Sequence, residues 1–130
     1  MLSNFKNIII TNNPKIVEKI NCKNMYIYYF ENADFMEILY KARDTIHLGY
    51  KLLTHPIVSS IKPYETPYKT IVLSDNKGEL DFESIELIEN SIELSKNFLD
   101  KPRRKLTKLI DEDFKLIDYE LINTSIESIK

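Results

Sequence analysis

The side chains that could do chemistry in this chain concentrate in one stretch. From Thr54 to Lys69 the sequence reads Thr-His-Pro-Ile-Val-Ser-Ser-Ile-Lys-Pro-Tyr-Glu-Thr-Pro-Tyr-Lys. It gathers His55, Ser59, Ser60, Lys62, Glu65, Thr66, Tyr68 and Lys69 in a segment with no helical or strand periodicity. Two lysines among hydroxyls suit a carboxylate or phosphate, because charge-assisted hydrogen bonds to anions are the strong ones. His55 is a candidate general acid–base. Structureless connections longer than ~12–15 residues are uncommon in compact domains and are often functional. Three prolines and no glycine stiffen this one, so it is expected to be ordered. The competing reading is a proline-braced cover whose polar groups satisfy their own backbone.

Two further groups stand beside it. Asn12 and Asn13 follow an apolar run and precede Pro14, either as a turn with a helix cap or as part of an anion site. Arg43 and His47 are four residues apart and share a helix face, with Asp44 next to them. His47 would meet His55 if the end of that helix packs beside the loop. His47 and His55 are thus the two candidates for catalysis. The candidate ligand-binding set is Asn12, Asn13, Arg43, Thr54, His55, Lys62, Glu65, Thr66, Tyr68 and Lys69.

Several chemistries are excluded or unsupported. Gly49 and Gly78 are the only glycines, so neither a P-loop nor a dinucleotide fingerprint can be built. There is no HExxH motif and no GxSxG elbow. His47, His55 and the single cysteine, Cys22, lack structural-zinc spacing, and no metal or cofactor is expected. A formal net charge of -2 gives no global attraction to nucleic acid or an anionic membrane. The basic run Lys101 to Lys105 carries no interleaved aromatics and reads as a solvated helix start. One cysteine, no signal-peptide pattern and no long apolar run make the cytoplasm the expected location.

The elements that must position these residues follow from hydrophobic periodicity. Asn7–Thr11 is a β-branched run apolar on both faces, hence a buried strand, and Pro14 opens a short helix. Met25–Phe30 is a second strand. Asn32 or Asp34 caps a helix over about 34–48, with Phe35, Ile38, Leu39, Ala42 and Ile46 as its buried stripe. Lys51–Thr54 is a third, short strand and Thr70–Ser74 a fourth. Asp81 caps a helix running to about Leu99, and Pro102 stops it. A helix from Arg103 to Ile110 and an amphipathic tail from Asp118 to Ile129 complete the chain. Alternation of this kind predicts an α/β fold in three layers, a small, mostly parallel sheet with helices on both faces. The expected organisation is one domain over 1–102 with a C-terminal helical extension over 103–130 packed on it.

The motifs also resemble a family. Ile8-Ile9-Ile10-Thr11-Asn12-Asn13-Pro14, Arg43-Asp44 with His47 and Gly49, Leu52-Leu53-Thr54-His55-Pro56, Lys62-Pro63 and Glu65-Thr66-Pro67-Tyr68-Lys69 are similar to GrdX-family proteins. Asp81, Ser84 and Leu87-Ile88-Glu89 fit as well, so the likeness covers about residues 7–100 and none of it lies beyond Pro102. The chain departs from the family pattern at Tyr50, Ser59 and Tyr64, where histidine, glycine and asparagine are usual. The resemblance implies an accessory role in glycine, sarcosine or betaine reductase systems. Together with the proline-rich loop and the missing cofactor motifs, it makes a small anionic ligand or a reductase component, met through the 54–69 loop, the expected partner. The alternative is a small enzyme acting on a carboxylate or acyl phosphate with a histidine acid–base.

Overall fold

The computed structural model describes residues 7–20, 25–56, 66–97 and 105–129. Three strands form one sheet: β1 (Asn7–Thr11), β2 (Met25–Tyr29) and β3 (Thr70–Ser74), in the order β2-β1-β3. The helices are α1 (Pro14–Lys19), α2 (Phe35–His47), α3 (Phe82–Lys96) and α4 (Lys108–Ile129). β1 takes the centre because Ile8, Ile9 and Ile10 are all buried and need cover on both faces.

The sheet is mixed, not mostly parallel. β1 and β2 are parallel, with Ile9 opposite Ile27, whereas β3 runs antiparallel to β1, with Ile9 opposite Val72. The reason lies in the connection. A parallel neighbour needs a crossover that returns the chain to the same end of the sheet. Here the chain leaves α2 and runs alongside β3, with Ser74 donating to the Lys51 carbonyl at 2.8 Å and Leu53 to the Val72 carbonyl at 2.9 Å. It therefore arrives at the carboxyl end of β1, and β3 must start there and run back. The expected third strand over Lys51–Thr54 is reduced to a single bridge, Leu52 to Leu73.

Local chemistry sets the helix ends. Asn13 caps α1, with Pro14 in its first turn. Asp34 and Glu37 form a reciprocal capping box on α2, at 2.8 and 3.1 Å. Asp81 caps α3. Where two C-terminal helical pieces were expected, one 22-residue helix forms. The acidic stretch does not break it: Lys115 pairs with Asp111 at 3.1 Å and Glu112 at 3.2 Å, both at helical spacing, and Phe114 is buried. No helix among the described residues is long and apolar enough to cross a membrane.

The pleat of the sheet divides the core. Ile8, Ile10, Ile71 and Leu73 pack with Phe35, Leu39 and Ile46 of α2 and Ile88 and Ile92 of α3. Ile9 and Val72 pack with Ile16 of α1 and Ile122 and Ile126 of α4. Both clusters are apolar, so their stability comes from area burial, at roughly 25 cal/mol per Å² of apolar surface.

One close backbone approach holds the turn after α2. Gly49 has φ +107°, and its carbonyl accepts from the Gly78 amide at 3.0 Å. A Cβ at Gly49 would stand 2.2 Å from the Gly78 carbonyl oxygen, while one at Gly78 would meet nothing within 4 Å. Gly49→Ala is therefore expected to cost at least ~2 kcal/mol, from the backbone conformation and the contact together. Gly78→Ala is expected to stay within about 0.5 kcal/mol of the parent. Urea unfolding of both variants checks this, and equal losses would contradict it.

Candidate ligand site at the carboxyl edge of β1

Asn12 and Asn13 occupy the carboxyl end of β1, and both are buried. Asn12 donates from Nδ2 to the carbonyls of Ala33 at 2.9 Å and Pro67 at 2.8 Å, and its Oδ1 accepts from the Lys69 amide at 2.9 Å. Both its donors are engaged with backbone. It joins the entry to α2 to the end of the 54–69 segment. Asn13 accepts from the Lys15 amide at 3.0 Å as the cap of α1. Its Nδ2 donates to the Lys115 carbonyl at 2.8 Å and to Asp118 Oδ2 at 3.0 Å, joining α1 to α4. The cap reading holds for Asn13, and neither amide side chain is left facing a ligand.

The same edge carries a directed hydroxyl chain. Thr70 Oγ1 donates to Asp118 Oδ2 at 2.6 Å. The 2.7 Å contact between the Thr11 and Thr70 hydroxyls must then be a donation from Thr11, because Thr70 has already given its only proton to the carboxylate. Thr11 in turn accepts from the Asn13 amide at 3.0 Å. The sequence of donors ends on one carboxylate oxygen. Burial still pushes the Asp118 carboxyl above the usual range, opposed by the bonds from Thr70 and Asn13 and by the charge of Lys69.

Lys69 is the cation of this edge, and it is only 8% exposed. Burial lowers its ammonium to about 8, with Asp118 pulling partly the other way. Among the described residues no carboxylate lies within 4.0 Å of Nζ. The Phe35 ring centroid lies 5.7 Å from Nζ, so the ammonium sits near an aromatic group, with no salt bridge among the described residues. Beside it, the Tyr68 hydroxyl donates to Asp111. Burial and then that bond raise the Tyr68 phenol above its ordinary value. Asp111 also holds Lys115 and raises its ammonium. Lys115 bonds Glu112, which pairs with Lys15 at 3.7 Å. The end of the 54–69 segment is thereby fastened to α4.

The expected site residues separate into groups. Tyr68 and Lys69 join Asn12 and Asn13 at the β1 edge. Thr66 accepts from the Tyr68 amide at 3.2 Å within the same turn. Thr54 is buried and accepts from the Val72 amide at 3.2 Å, so it joins the 51–54 run to β3. His55 is exposed at the end of that run. Arg43 and His47 lie elsewhere: both reach Glu89 of α3, at 3.9 and 4.0 Å. His47 is twelve residues from Phe35 along α2, or roughly 18 Å. Lys62 and Glu65 lie outside the described residues, as does the middle of the segment whose order was expected. A groove of about 310 Å³ between β2 and α2 is lined by Ile8, Ile10, Tyr28, Phe30, Lys41, Asp44 and Thr45 and includes none of the candidate set. The described residues hold no group of three His, Cys, Asp or Glu side chains placed for a metal.

Sequence reasoning missed Thr70, Asp111, Lys115 and Asp118. A signal existed. Asp111, Lys115, Asp118, Ile122 and Ile126 recur at helical spacing, so one face of α4 carries half-buried charge at one end and buried aliphatic groups at the other.

A buried ammonium without a contact ion pair is a cost to folding. Lys69→Met is expected to stabilise the protein by about 1–3 kcal/mol at neutral pH. The folded lysine titrates near 8 against an ordinary 10.5, so the cost is fully present below 8 and is relieved as pH rises from 8 to 10.5. The advantage of the methionine variant should shrink across that interval. Denaturant melts at several pH values measure it, and a variant less stable than the parent at neutral pH would contradict the assignment.

Neither a curated protein nor a solved structure matches this chain. A sequence model of the GrdX-like protein family matches residues 8–127. The match takes in nearly all of α4, beyond the limit near residue 100 drawn from the motifs, and so includes Asp118. The chain is a member of the GrdX-like protein family.

Proposed function

We propose that this protein is an accessory component of glycine, sarcosine or betaine reductase systems and that it binds a small anionic ligand beside Lys69. Family membership supports the association with glycine reductase systems. The observation that carries the binding site is the Lys69 ammonium itself, buried at the end of the 54–69 segment with no carboxylate in ion-pair contact among the described residues. A cation held in that way is favourable only when something compensates it, and a bound anion does so. The site lies at the carboxyl edge of the parallel pair β1–β2, where open α/β sheets bind ligands. The backbone of Lys69 is fixed from both sides by Asn12, at 2.9 and 3.4 Å, so the ammonium is presented from a rigid support.

A thermal-shift series with phosphate, acetate and acetyl phosphate tests this reading. A ligand at 100 times its dissociation constant adds ~2.7 kcal/mol, roughly 10 °C for a domain of this size. The shift is expected with at least one anion at pH 7, and it should be lost in Lys69→Met. It should also fade above about pH 8 as the lysine sheds its proton. No shift with any small ligand would contradict the reading and direct the search to reductase subunits.

A further inference from the structure

We infer that the open edge of β2 pairs with β2 of a second copy of this chain, antiparallel and centred on Ile27, to give a two-fold dimer with one continuous sheet. The two edges of the sheet differ. β3 is screened on its outer side by the 51–53 run, through the bonds of Ser74 to Lys51 and of Leu53 to Val72. β2 pairs with β1 alone among the described residues. Its five residues, Met-Tyr-Ile-Tyr-Tyr, contain no charge and no proline, and its register with β1 has no bulge, so the usual devices that block an edge are missing. The ladder shows which groups this edge offers. The Phe30 amide donates to the Thr11 carbonyl at 2.8 Å, toward β1. Backbone groups alternate sides along a strand, so those of Tyr26 and Tyr28 also turn to β1, and those of Met25, Ile27 and Tyr29 turn outward. An antiparallel copy centred on Ile27 sets Ile27 opposite Ile27 and Met25 opposite Tyr29, and every outward group of both strands finds a partner. Any other register leaves Met25 or Tyr29 with nothing opposite it in β2.

The side chains fit the same register. Tyr26 and Tyr28 stand opposite Ile8 and Ile10 and so share the α2 face, where they are 44% and 50% exposed. In the dimer Tyr26 of each copy lies opposite Tyr28 of the other, and cross-strand aromatic pairs are favourable. α2 packs on β1 and β3, which leaves the groove of about 310 Å³ open beside Tyr28. The two β1 strands would stand three strand spacings apart, roughly 14 Å. That exceeds the ~8–10 Å of packed helices, so α2 and its copy do not collide and the four tyrosines occupy the space between them. The charges are complementary as well. Lys41 and Asp44 line the α2 side of the groove, three residues apart, and neither is in a salt bridge among the described residues. The axis passes one residue from Tyr28, so it turns Lys41 of one copy toward Asp44 of the other. Opposite charges then face each other across the tyrosines on both sides of the axis, and a second copy is the partner this surface fits.

Sedimentation equilibrium of the full chain tests the inference. A single strand pair with its flanking side chains is a small interface, so the mass should rise from monomer to dimer between about 1 and about 200 µM. Tyr26→Lys combined with Tyr28→Lys sets lysine against lysine across the axis and should weaken the dimer at least tenfold. Tyr26→Lys combined with Tyr28→Glu sets opposite charges face to face and should recover at least tenfold over the double-lysine variant. Both tyrosines are exposed, and circular dichroism checks that the variants fold. Amide hydrogen exchange of the parent gives a second reading that needs no variant: the Met25, Ile27 and Tyr29 amides should gain protection as concentration rises. A parent that stays monomeric across the range would overturn the inference. So would a dimer that the double-lysine variant leaves intact, or one in which those three amides gain no protection.

Discussion

The Asp118 carboxylate is the point on which the carboxyl edge of this fold is hung. It sits on α4, yet its bonds are to Asn13 at the start of α1 and Thr70 at the start of β3. Through Thr70 it reaches Thr11 on the central strand. Four elements, β1 and α1 near the start of the chain, β3 and α4, are thereby tied to one oxygen. A buried carboxylate is costly unless several donors converge on it, and two do so here. The aliphatic contacts of Ile122 and Ile126 then fix the rest of α4 against Ile9, Ile16 and Val72. Apolar burial supplies the cohesion of this layer, and the carboxylate fixes its register.

That arrangement places Lys69 where it is. The lysine precedes Thr70 in sequence, and Asn12 grips its backbone on both sides. The ammonium lies 5.7 Å from the Phe35 ring centroid, with no carboxylate within 4.0 Å among the described residues. Burial disfavours the ammonium and the carboxylate alike, and each partly rescues the other across the gap. Such a pair contributes little to stability compared with apolar residues of similar volume. On the proposed anion-binding reading, the lysine offers its charge from the rigid support that Asn12 gives its backbone.

Much of the fold was legible in the residues. Ile8, Ile9 and Ile10 announce a strand covered on both faces, and Asn13-Pro14, Asp34 and Asp81 mark helix starts by cap chemistry alone. The direction of β3 was not legible. Periodicity identifies Thr70–Ser74 as a strand but carries no information on which end of the sheet the preceding segment delivers it to. The candidate site was half legible. Asn12, Asn13, Tyr68 and Lys69 stood out by type and position, whereas Asp118 was obscured. In the sequence Asp118 stands only as the first residue of an amphipathic tail running to Ile129. The stripe that matters runs through Asp111, Lys115 and Asp118, and a carboxylate on a buried helix face becomes meaningful only when its partners on other elements are known. Arg43 and His47 shared a face as expected, but that face meets Glu89 on α3.

The most direct test of the buried cation is an NMR titration of the Lys69 side chain in protein with labelled lysine, assigned by comparison with Lys69→Met and followed from pH 6 to 11 with and without acetyl phosphate. A midpoint near 8 in the free protein, moving upward when the anion is bound, is the result expected of a buried ammonium compensated by a ligand. A midpoint at the ordinary lysine value, unmoved by the anion, would contradict both the burial of the charge and its role.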